Sequence, residues 1–205
     1  MLSTSDLVCV RGDRRLFSGL AFTLAPGGRL HVGGENGAGK TSLLRMLCGL
    51  SPPDAGEICW QGTPIGQLGD EYRQAVLYLG HDNALEDDLT ALDSLRTAAA
   101  LAGVRVDDDA GVDLLRRAGL AGREDLPVRV LSQGQKRRVA LAHLLWSKAP
   151  LWILDEPFVA LDVAAVNWLA EIIGTHVAEG GLVVLTSHQE VIIPGGVAQT
   201  LVLSQ

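Results

Sequence analysis

A glycine-rich segment that ends in lysine and threonine lies near the start of the chain. It fits the pattern G-x-x-x-x-G-K-[ST] at every fixed position, and its residues are Gly34, Glu35, Asn36, Gly37, Ala38, Gly39, Lys40 and Thr41. Glycines let a backbone wrap around phosphate, and a helix that begins there adds its free N–H groups and positive dipole end. Lys40 supplies positive charge for the outer phosphates, and the Thr41 hydroxyl can ligate magnesium. This segment, the phosphate loop, predicts a nucleotide site with Mg²⁺.

Two adjacent acids, Asp155 and Glu156, directly follow the apolar run Leu151–Leu154. In open α/β sheets, ligands bind beyond the carboxyl ends of the strands. At such an end Asp155 would hold magnesium through water, and Glu156 would face the terminal phosphate and orient or deprotonate the attacking water. Two acids after an apolar run are a weak signal alone, but they indicate hydrolysis when a phosphate loop precedes them.

A third candidate lies at Ser132, just before a predicted helix. A serine at this position caps the helix with its side-chain oxygen, and the free N–H groups of the helix then face an anion. The simpler alternative is that Ser132 only caps the helix.

The elements that must position these residues follow from apolar periodicity. Short apolar or alternating runs predict strands at residues 7–10, 17–24, 29–32, 57–60, 75–79, 151–154 and 182–185. Helical spacing predicts helices at 40–48, after a capping box at Thr90 and Asp93, and at 111–120, 133–147 and 163–177. The alternation of strand and helix indicates an α/β fold with a mainly parallel sheet and antiparallel N-terminal strands. We expect one domain, 1–205, with an embedded helical subdomain at about 82–129.

Composition excludes several classes of protein. The chain has 205 residues, of which 47% are hydrophobic, and a net charge of −7. Such apolar content excludes disorder, and the acidic balance argues against a nucleic-acid partner. The longest apolar runs are far shorter than the roughly 20 residues of a membrane-spanning helix. No secretory signal is visible at the N-terminus, so we expect a cytoplasmic location. Cys9, Cys48 and Cys59 are expected to be reduced, buried thiols.

The motifs together resemble those of the ABC ATPases. Residues 131–135, Leu-Ser-Gln-Gly-Gln, resemble the L-S-G-G-Q signature of that family, and residues 160–162, Ala-Leu-Asp, resemble its D-loop. His188, after an apolar strand, resembles its switch histidine. The order and spacing match across essentially the whole chain. The resemblance implies an ATP hydrolase with the P-loop NTPase fold of the ABC type, which forms a homodimer when ATP is bound.

The resemblance also implies roles for individual residues. Ser132 and Gly134 of one chain would contact the terminal phosphate held by the other chain. The catalytic residues would be Glu156, His188 and Lys40, and the Mg²⁺ ligands Thr41 and Asp155. The residues expected to contact ATP are Gly34, Glu35, Asn36, Gly37, Ala38, Gly39, Lys40, Thr41, Ser42, Ser132, Gly134, Gln135 and His81.

Three positions depart from the family's usual pattern. Gln133 replaces the first glycine of the signature and adds bulk near the phosphate. His81 stands where the family's Q-loop glutamine is expected, and an imidazole there can donate or accept a hydrogen bond. Arg11 stands near the place of the aromatic residue that stacks on adenine, where a guanidinium plane could stack instead.

Longer segments resemble the ATP-binding subunits of cytochrome c maturation (haem exporter) systems. The matching segments are residues 54–57, 60–62, 77–81, 131–142, 151–158 and 186–189. This resemblance implies integral-membrane ABC transporter subunits as partners and a peripheral position on the cytoplasmic face of the bacterial inner membrane. ATP turnover would drive haem export and the release of a haem-loaded chaperone. No Cys-x-x-Cys-His motif occurs in the sequence, and no direct haem contact is expected.

Two other functions stay open at this point. The chain could be the ATPase subunit of an ABC transporter for another substrate, because the motifs do not identify the cargo. It could also be a soluble ABC-type assembly ATPase, such as the iron–sulfur scaffold type. A DNA-repair ATPase of the coiled-coil kind would need a long heptad insertion, which is absent from this sequence.

Overall fold

The computed structural model describes residues 1–203, and the chain divides into two units. Unit 1 comprises Met1–Tyr78, Ala149–Glu156 and the residues from Ile173 onward, and unit 2 comprises Leu79–Lys148 and Pro157–Ile172. The strands are β1 (Leu2–Arg11), β2 (Arg14–Leu24), β3 (Gly28–Gly34), β4 (Ala55–Trp60), β5 (Thr63–Pro64), β6 (Val76–Leu79), β7 (Leu151–Leu154), β8 (Leu182–Thr186) and β9 (Val197–Leu203). The α-helices are α1 (Lys40–Leu47), α2 (Ile65–Leu68), α3 (Asp70–Ala75), α4 (Ala91–Leu101), α5 (Asp108–Arg117), α6 (Gln133–Leu141) and α7 (Val163–Ala178).

The N-terminal strands form an antiparallel sheet in the order β2-β1-β4-β5. Along β2, Leu20 and Leu24 are buried while the residues beside them are more exposed, which is the alternation that predicted a half-buried strand. β1 begins at Leu2, five residues before the predicted start, because its polar first half still pairs with β2. There the Thr4 hydroxyl accepts a hydrogen bond from the Phe22 N–H (3.0 Å). The predicted antiparallel N-terminal strands are confirmed.

A second sheet, in the order β6-β7-β8-β3-β9, carries the predicted site residues of unit 1. The pairs β7–β8, β8–β3 and β3–β9 are parallel. Every residue of β7 and β8 is buried, as is usual for parallel strands covered on both faces. The edge strand β9 was not predicted, because the polar Gln199 and Thr200 interrupt its apolar residues and its pairing with β3 depends on distant residues.

Helix α1 follows the phosphate loop and turns one face into the core of unit 1. It buries Leu43, Leu44, Met46 and Leu47, which join a cluster with residues of both sheets. The helix ends at Leu47, and Gly49 adopts the left-handed conformation (φ 71°) that commonly follows a helix end. The predicted helix 40–48 is therefore confirmed to within one residue.

The cysteines are free thiols in unit 1. Cys9 and Cys48 are buried, as predicted, and burial raises the pKa of both thiols. Cys59 is only half-buried, so the prediction of burial was wrong for this residue. Its strand β4 directs only Ile58 and Trp60 fully into the core.

Unit 2 is mainly helical. The Thr90 hydroxyl caps α4 by accepting from the Asp93 N–H (3.0 Å), as predicted. The next helix, α5, begins at Asp108 instead of the predicted Gly111, because Asp107 caps it by accepting from the Ala110 N–H (2.9 Å). It ends at Arg117, before Gly119, whose φ is 77°.

The helix predicted at 133–147 is shorter than expected. α6 ends at Leu141, and a 3-10 helix, Ala142–Leu145, continues it, a tightening that is frequent at helix ends. A second 3-10 helix spans Val128–Val130. None of the helices in the described part of the chain is long and apolar enough to cross a membrane. The embedded subdomain at about 82–129 stays a prediction; α4 and α5 lie within that range.

A half-buried histidine in the 3-10 helix of unit 2, whose Nε2 atom is buried, has a lowered pKa and is expected to make stability depend on pH. Burial lowers the pKa of His143 to about 4, whereas an unfolded chain leaves a histidine near 6.5. The unfolded state therefore binds more protons below pH 6.5, so this contribution to stability is complete above that pH and is lost as the pH falls toward 4.

We expect His143→Phe to weaken this pH dependence. Between pH 7.5 and 5, the free energy of unfolding of the wild type should fall by on the order of 2 kcal/mol more than that of the variant. Urea unfolding at the two pH values measures the difference, and the same change at the exposed His81 serves as the control. Equal pH dependence in His143→Phe and the wild type would contradict the expectation.

Candidate functional site

The phosphate loop joins β3 to α1, and its glycines are required by backbone geometry and by space. Gly39 precedes the first residue of α1 with a left-handed φ of 104°. A Cβ atom on Gly34 would lie 2.8 Å from the Leu203 carbonyl oxygen, and one on Gly39 would lie 3.1 Å from the Leu16 Cβ. The Gly34 position therefore excludes a side chain, whereas at Gly39 a side chain would be crowded and its backbone conformation strained.

The lysine of the loop folds over the loop's own backbone. The Lys40 ammonium donates to the Gly34 carbonyl (2.7 Å) and more weakly to that of Glu35 (3.3 Å). The helical hydrogen bond that closes the first turn of α1 runs from the Leu43 N–H to the Gly39 carbonyl (2.8 Å). The helix N-terminus adjoins the loop, so its positive dipole end and the Lys40 charge both lie where a phosphate anion would be stabilised.

The remaining loop residues differ in exposure. Glu35, Asn36 and Gly37 are exposed, whereas Ala38 is buried and Ser42 is half-buried. The Ala38 N–H donates to the Glu35 carbonyl (3.1 Å). The predicted contacts of these residues with ATP stay predictions.

A buried carboxylate joins the first turn of α1 to the ends of β7 and β8. Asp155 is 2% exposed. Its Oδ2 atom accepts from the Thr41 hydroxyl (2.8 Å), and its Oδ1 atom accepts from the Thr186 hydroxyl (2.7 Å). The two predicted Mg²⁺ ligands, Thr41 and Asp155, are therefore in direct contact.

These oxygen ligands suit magnesium, a hard cation that binds through a few protein oxygens and completes its shell with water and substrate phosphate. Residues 1–203 contain no group of three or more His, Cys, Asp or Glu side chains arranged to hold a metal ion. The site therefore has the sparse oxygen ligands that a magnesium–nucleotide complex requires, and lacks a dedicated metal cage.

Glu156 and His188 lie together beside this carboxylate. Glu156 has a positive φ of 48°, an uncommon backbone conformation for a residue with a side chain, of the kind found at functional sites. The His188 N–H donates to the Glu156 Oε2 atom (3.3 Å), and the His188 Nε2 atom lies 3.4 Å from Oε1. The Glu156 side chain is 11% exposed and that of His188 is 57% exposed, so the pair connects the buried carboxylate to the surface.

Sequence reasoning missed Thr186, the last residue of β8. Its hydroxyl donates to Asp155 and also accepts from the Glu156 N–H (2.8 Å). A polar residue at the end of an apolar strand beside β7 was the available signal, because neighbouring parallel strands end at the same sheet edge.

The signature residues lie in unit 2, at the N-terminus of α6. Ser132 and Gln135 form a reciprocal capping box: the Ser132 Oγ atom accepts from the Gln135 N–H (3.3 Å), and the Gln135 Oε1 atom accepts from the Ser132 N–H (2.9 Å). The side chain of Gln135 is therefore engaged within its own helix. Ser132 and Gln133 are exposed, which leaves the helix end accessible.

Gly134 is required by packing, whatever it binds. A Cβ atom on it would lie 2.7 Å from the Ala160 carbonyl oxygen. The nearby Asp162 accepts from both the Ala165 N–H and the Arg138 guanidinium, each at 2.8 Å, and these partners lower its pKa. The D-loop residues are thus attached to the signature helix inside unit 2.

His81 lies in a segment held by a buried arginine that sequence reasoning did not single out. Arg137 is 4% exposed, and its Nη1 atom donates to the Gly80 carbonyl (3.0 Å) and to the Asn83 Oδ1 atom (3.1 Å). The His81 side chain is exposed. It lines a cleft of about 280 Å³ with Arg137 and Gln133.

Arg11 makes an ion pair instead of standing alone at the surface. Its guanidinium lies 3.7 Å from an Asp54 carboxylate oxygen, with both side chains more than 40% exposed. An exposed pair of this kind contributes little to stability, and adenine stacking on Arg11 stays a prediction.

The structure therefore places the predicted site residues in two groups. Unit 1 brings together the phosphate loop, which includes Thr41, and three further side chains, those of Asp155, Glu156 and His188. Ser132, Gly134, Gln135 and His81 belong to unit 2. A nucleotide phosphate loop, a buried acidic strand end and a capped signature helix define the ATP-binding subunits of the ABC class.

Comparison with known proteins agrees with this class. The family model described as "ABC transporter" matches residues 17–159. The chain is 58% identical to the cytochrome c biogenesis ATP-binding export protein CcmA of Dechloromonas aromatica (strain RCB), over 98% of each chain. It is 55% identical to the protein of that name from Nitrosomonas europaea, over 100% of this chain and 96% of the relative. The chain therefore belongs to the family of cytochrome c biogenesis ATP-binding export proteins, within the ABC transporter ATPases.

Solved structures show the same fold. An ABC transporter ATP-binding protein from Pyrococcus furiosus superposes with a TM-score of 0.82 at 28% identity, over 98% of this chain and 96% of that chain. The ABC transporter cassette MJ0796 superposes with a TM-score of 0.83 at 21% identity, over 98% of this chain and 94% of that chain. The predicted P-loop fold of the ABC type is confirmed, and with the family match the chain is an ATP-binding ATP hydrolase.

Proposed function

We propose that this chain hydrolyses ATP as the peripheral subunit of a bacterial inner-membrane ABC exporter in cytochrome c biogenesis. Turnover would drive haem export and the release of a haem-loaded chaperone by the membrane subunits. The main support for an ATPase site is the contact of Thr41 with the buried Asp155, because this contact joins the phosphate loop to the acidic strand end. The names of the full-length relatives support the role in cytochrome c biogenesis.

In the proposed site, the phosphate loop binds the phosphates of ATP through its backbone N–H groups and Lys40. Thr41 and Asp155 would hold Mg²⁺, which supplies neutralisation of the charge on the phosphate oxygens. Lys40 exchanges its hydrogen bonds to the Gly34 and Glu35 carbonyls for the outer phosphates. ATP is the substrate of this site, and its adenine would lie near Arg11.

Glu156 acts on the attacking water. Its carboxylate accepts a hydrogen bond or proton from that water as the oxygen attacks the terminal phosphorus. The bond from that phosphorus to the bridging oxygen breaks, and ADP and phosphate leave. His188, within 3.4 Å of the Glu156 carboxylate, stabilises the terminal phosphate and keeps Glu156 oriented. Because Glu156 is largely buried, its orientation is restricted before the water arrives.

The second half of the site would come from another copy of the chain. The exposed N-terminus of α6 presents Ser132 and its helix N–H groups to solvent, which suits the terminal phosphate of an ATP held by a partner chain. Ser132 uses its oxygen as an acceptor within the cap, so its hydroxyl proton can still donate to phosphate. The ATP-dependent homodimer follows from this use of the signature.

Substitution of Ser132 separates phosphate contact from capping. Aspartate and asparagine cap helices as well as serine does, but aspartate adds a negative charge where the phosphate would bind. We expect Ser132→Asp to fold normally, to lose the ATP-dependent dimer and to lower phosphate release by about 10-fold or more, a loss of at least ~1.4 kcal/mol of transition-state stabilisation. Sedimentation velocity with ATP and a phosphate-release assay provide the measurements.

Ser132→Asn is the matched control, because it keeps the cap without the charge. A much smaller effect in Ser132→Asn than in Ser132→Asp supports the phosphate contact. Wild-type dimerisation and turnover in Ser132→Asp would show that the residue only caps α6.

The membrane partners can be identified by affinity purification of the chain from native membranes. We expect integral-membrane subunits of a cytochrome c biogenesis system to copurify, because the apolar spans that a transporter requires must come from other chains if this one is peripheral. Recovery of other multi-spanning subunits would retain the transporter ATPase and contradict the role in cytochrome c biogenesis. Recovery of soluble assembly factors alone would contradict the membrane role.

A further inference from the structure

Thr186 occupies a central place at the carboxyl edge of the parallel sheet. It is the last residue of β8, which lies between β7 and β3. Its register partner on β3 is Val32, close to the start of the phosphate loop. The residue is 0% exposed, so any polar role of its hydroxyl must be toward neighbouring protein groups.

The hydroxyl of Thr186 makes two hydrogen bonds in opposite senses. It donates to the Asp155 Oδ1 atom (2.7 Å) and accepts from the Glu156 backbone N–H (2.8 Å). A hydroxyl has one proton to donate and two lone pairs, so it can serve a carboxylate and an N–H at the same time. A methyl group of the same size could do neither.

These two bonds act on consecutive residues whose roles differ. The first restrains the carboxylate that also accepts from Thr41. The second holds the backbone of Glu156 at the point where its φ is 48°, a conformation that persists only where surrounding contacts maintain it. The direction of the Glu156 side chain depends on this backbone angle.

We propose that Thr186 is a positioning residue for ATP hydrolysis, whose hydroxyl fixes the Asp155 carboxylate and the Glu156 backbone together. This inference rests on the proposed ATPase site. It assigns to one buried hydroxyl the alignment of the magnesium-binding carboxylate with the carboxylate that orients water. Lys40 and the loop that binds the phosphates do not require this hydroxyl for their own contacts.

Thr186→Val tests the proposal, because valine keeps the shape of threonine and removes the hydroxyl. In the complex recovered from membranes, we expect kcat to fall by about 10- to 100-fold, the usual effect of losing a group that orients a ligand residue. KM for ATP in the presence of Mg²⁺ should rise by much less than kcat falls. Thr186→Ser, which restores the hydroxyl, should recover most of the lost turnover, and Thr200→Val makes the same change at an exposed position of β9 as the control.

A binding measurement gives a readout that does not depend on turnover. A fluorescent ATP analogue is titrated with and without Mg²⁺. In the absence of Mg²⁺, Thr186→Val and the wild type should bind the analogue with the same affinity. The gain in affinity on adding Mg²⁺ should be smaller in the variant. A purely structural role would lower affinity equally under both conditions, and that result would overturn the proposal.

Further outcomes separate this proposal from the ATPase assignment. Wild-type kcat in Thr186→Val, together with strongly reduced turnover in Lys40→Ala, would overturn the role of Thr186 alone. Undiminished turnover in Lys40→Ala would overturn the proposed site itself. If Thr186→Val does not fold, amide hydrogen exchange is measured in the wild type and in Thr186→Ser instead. Slow exchange of the Glu156 amide in both proteins supports its hydrogen bond to the hydroxyl at position 186. Rapid exchange of this amide in the wild type overturns the proposal.

Discussion

The buried carboxylate of Asp155 is the interaction on which the catalytic half of the molecule depends. A carboxylate removed from water is costly unless hydrogen bonds compensate for the lost hydration. Thr41 supplies one such bond from the first turn of α1, and Thr186 supplies another from the end of β8. Three elements from distant parts of the sequence must therefore meet at one point. Thr41 is the last residue of the phosphate loop, so the same requirement positions the loop at the carboxyl edge of the sheet.

The arrangement around this point combines close packing with unusual backbone geometry. Gly34 has no room for a Cβ atom, one on Gly39 would be crowded, and Glu156 has a left-handed backbone although it carries a side chain. Such conformations are stable only when neighbouring contacts maintain them. Here the fully buried strands β7 and β8 provide a rigid base, and the hydrogen bonds at their ends specify the direction of the reactive side chains.

Unit 2 uses another physical device to present its own candidate groups. A capping box forms hydrogen bonds with backbone groups at the N-terminus of α6, and this N-terminus remains exposed. The buried Arg137 connects this helix to the segment that contains His81, and the half-buried Arg138 connects it to Asp162. A motif residue can be required by packing as well as by ligand contact. Gly134 is an example, because its close approach to the Ala160 carbonyl already excludes a side chain.

Local sequence patterns predicted much of the fold and part of the site. The phosphate loop and the acidic strand end could be found because their chemistry lies in consecutive residues, and β7 and β8 because their apolar runs are continuous. Thr186 and Arg137 were missed because their roles depend on partners far away in the chain. The edge strand β9 was missed for the same reason. The start of α5 was misplaced because the helix begins where Asp107 caps it, three residues before the predicted start at Gly111.

The most direct test of the central claim is a single-turnover measurement of phosphate release by the complex with wild-type chain and with Glu156→Gln. Glutamine keeps the shape of glutamate but is a far weaker acceptor for the proton of the attacking water. We expect unchanged ATP affinity and phosphate release that is at least about 100-fold slower, within the range of general base catalysis. Glu179→Gln, an exposed change after α7, should behave as the wild type. Undiminished phosphate release in Glu156→Gln would contradict the role of Glu156 in hydrolysis.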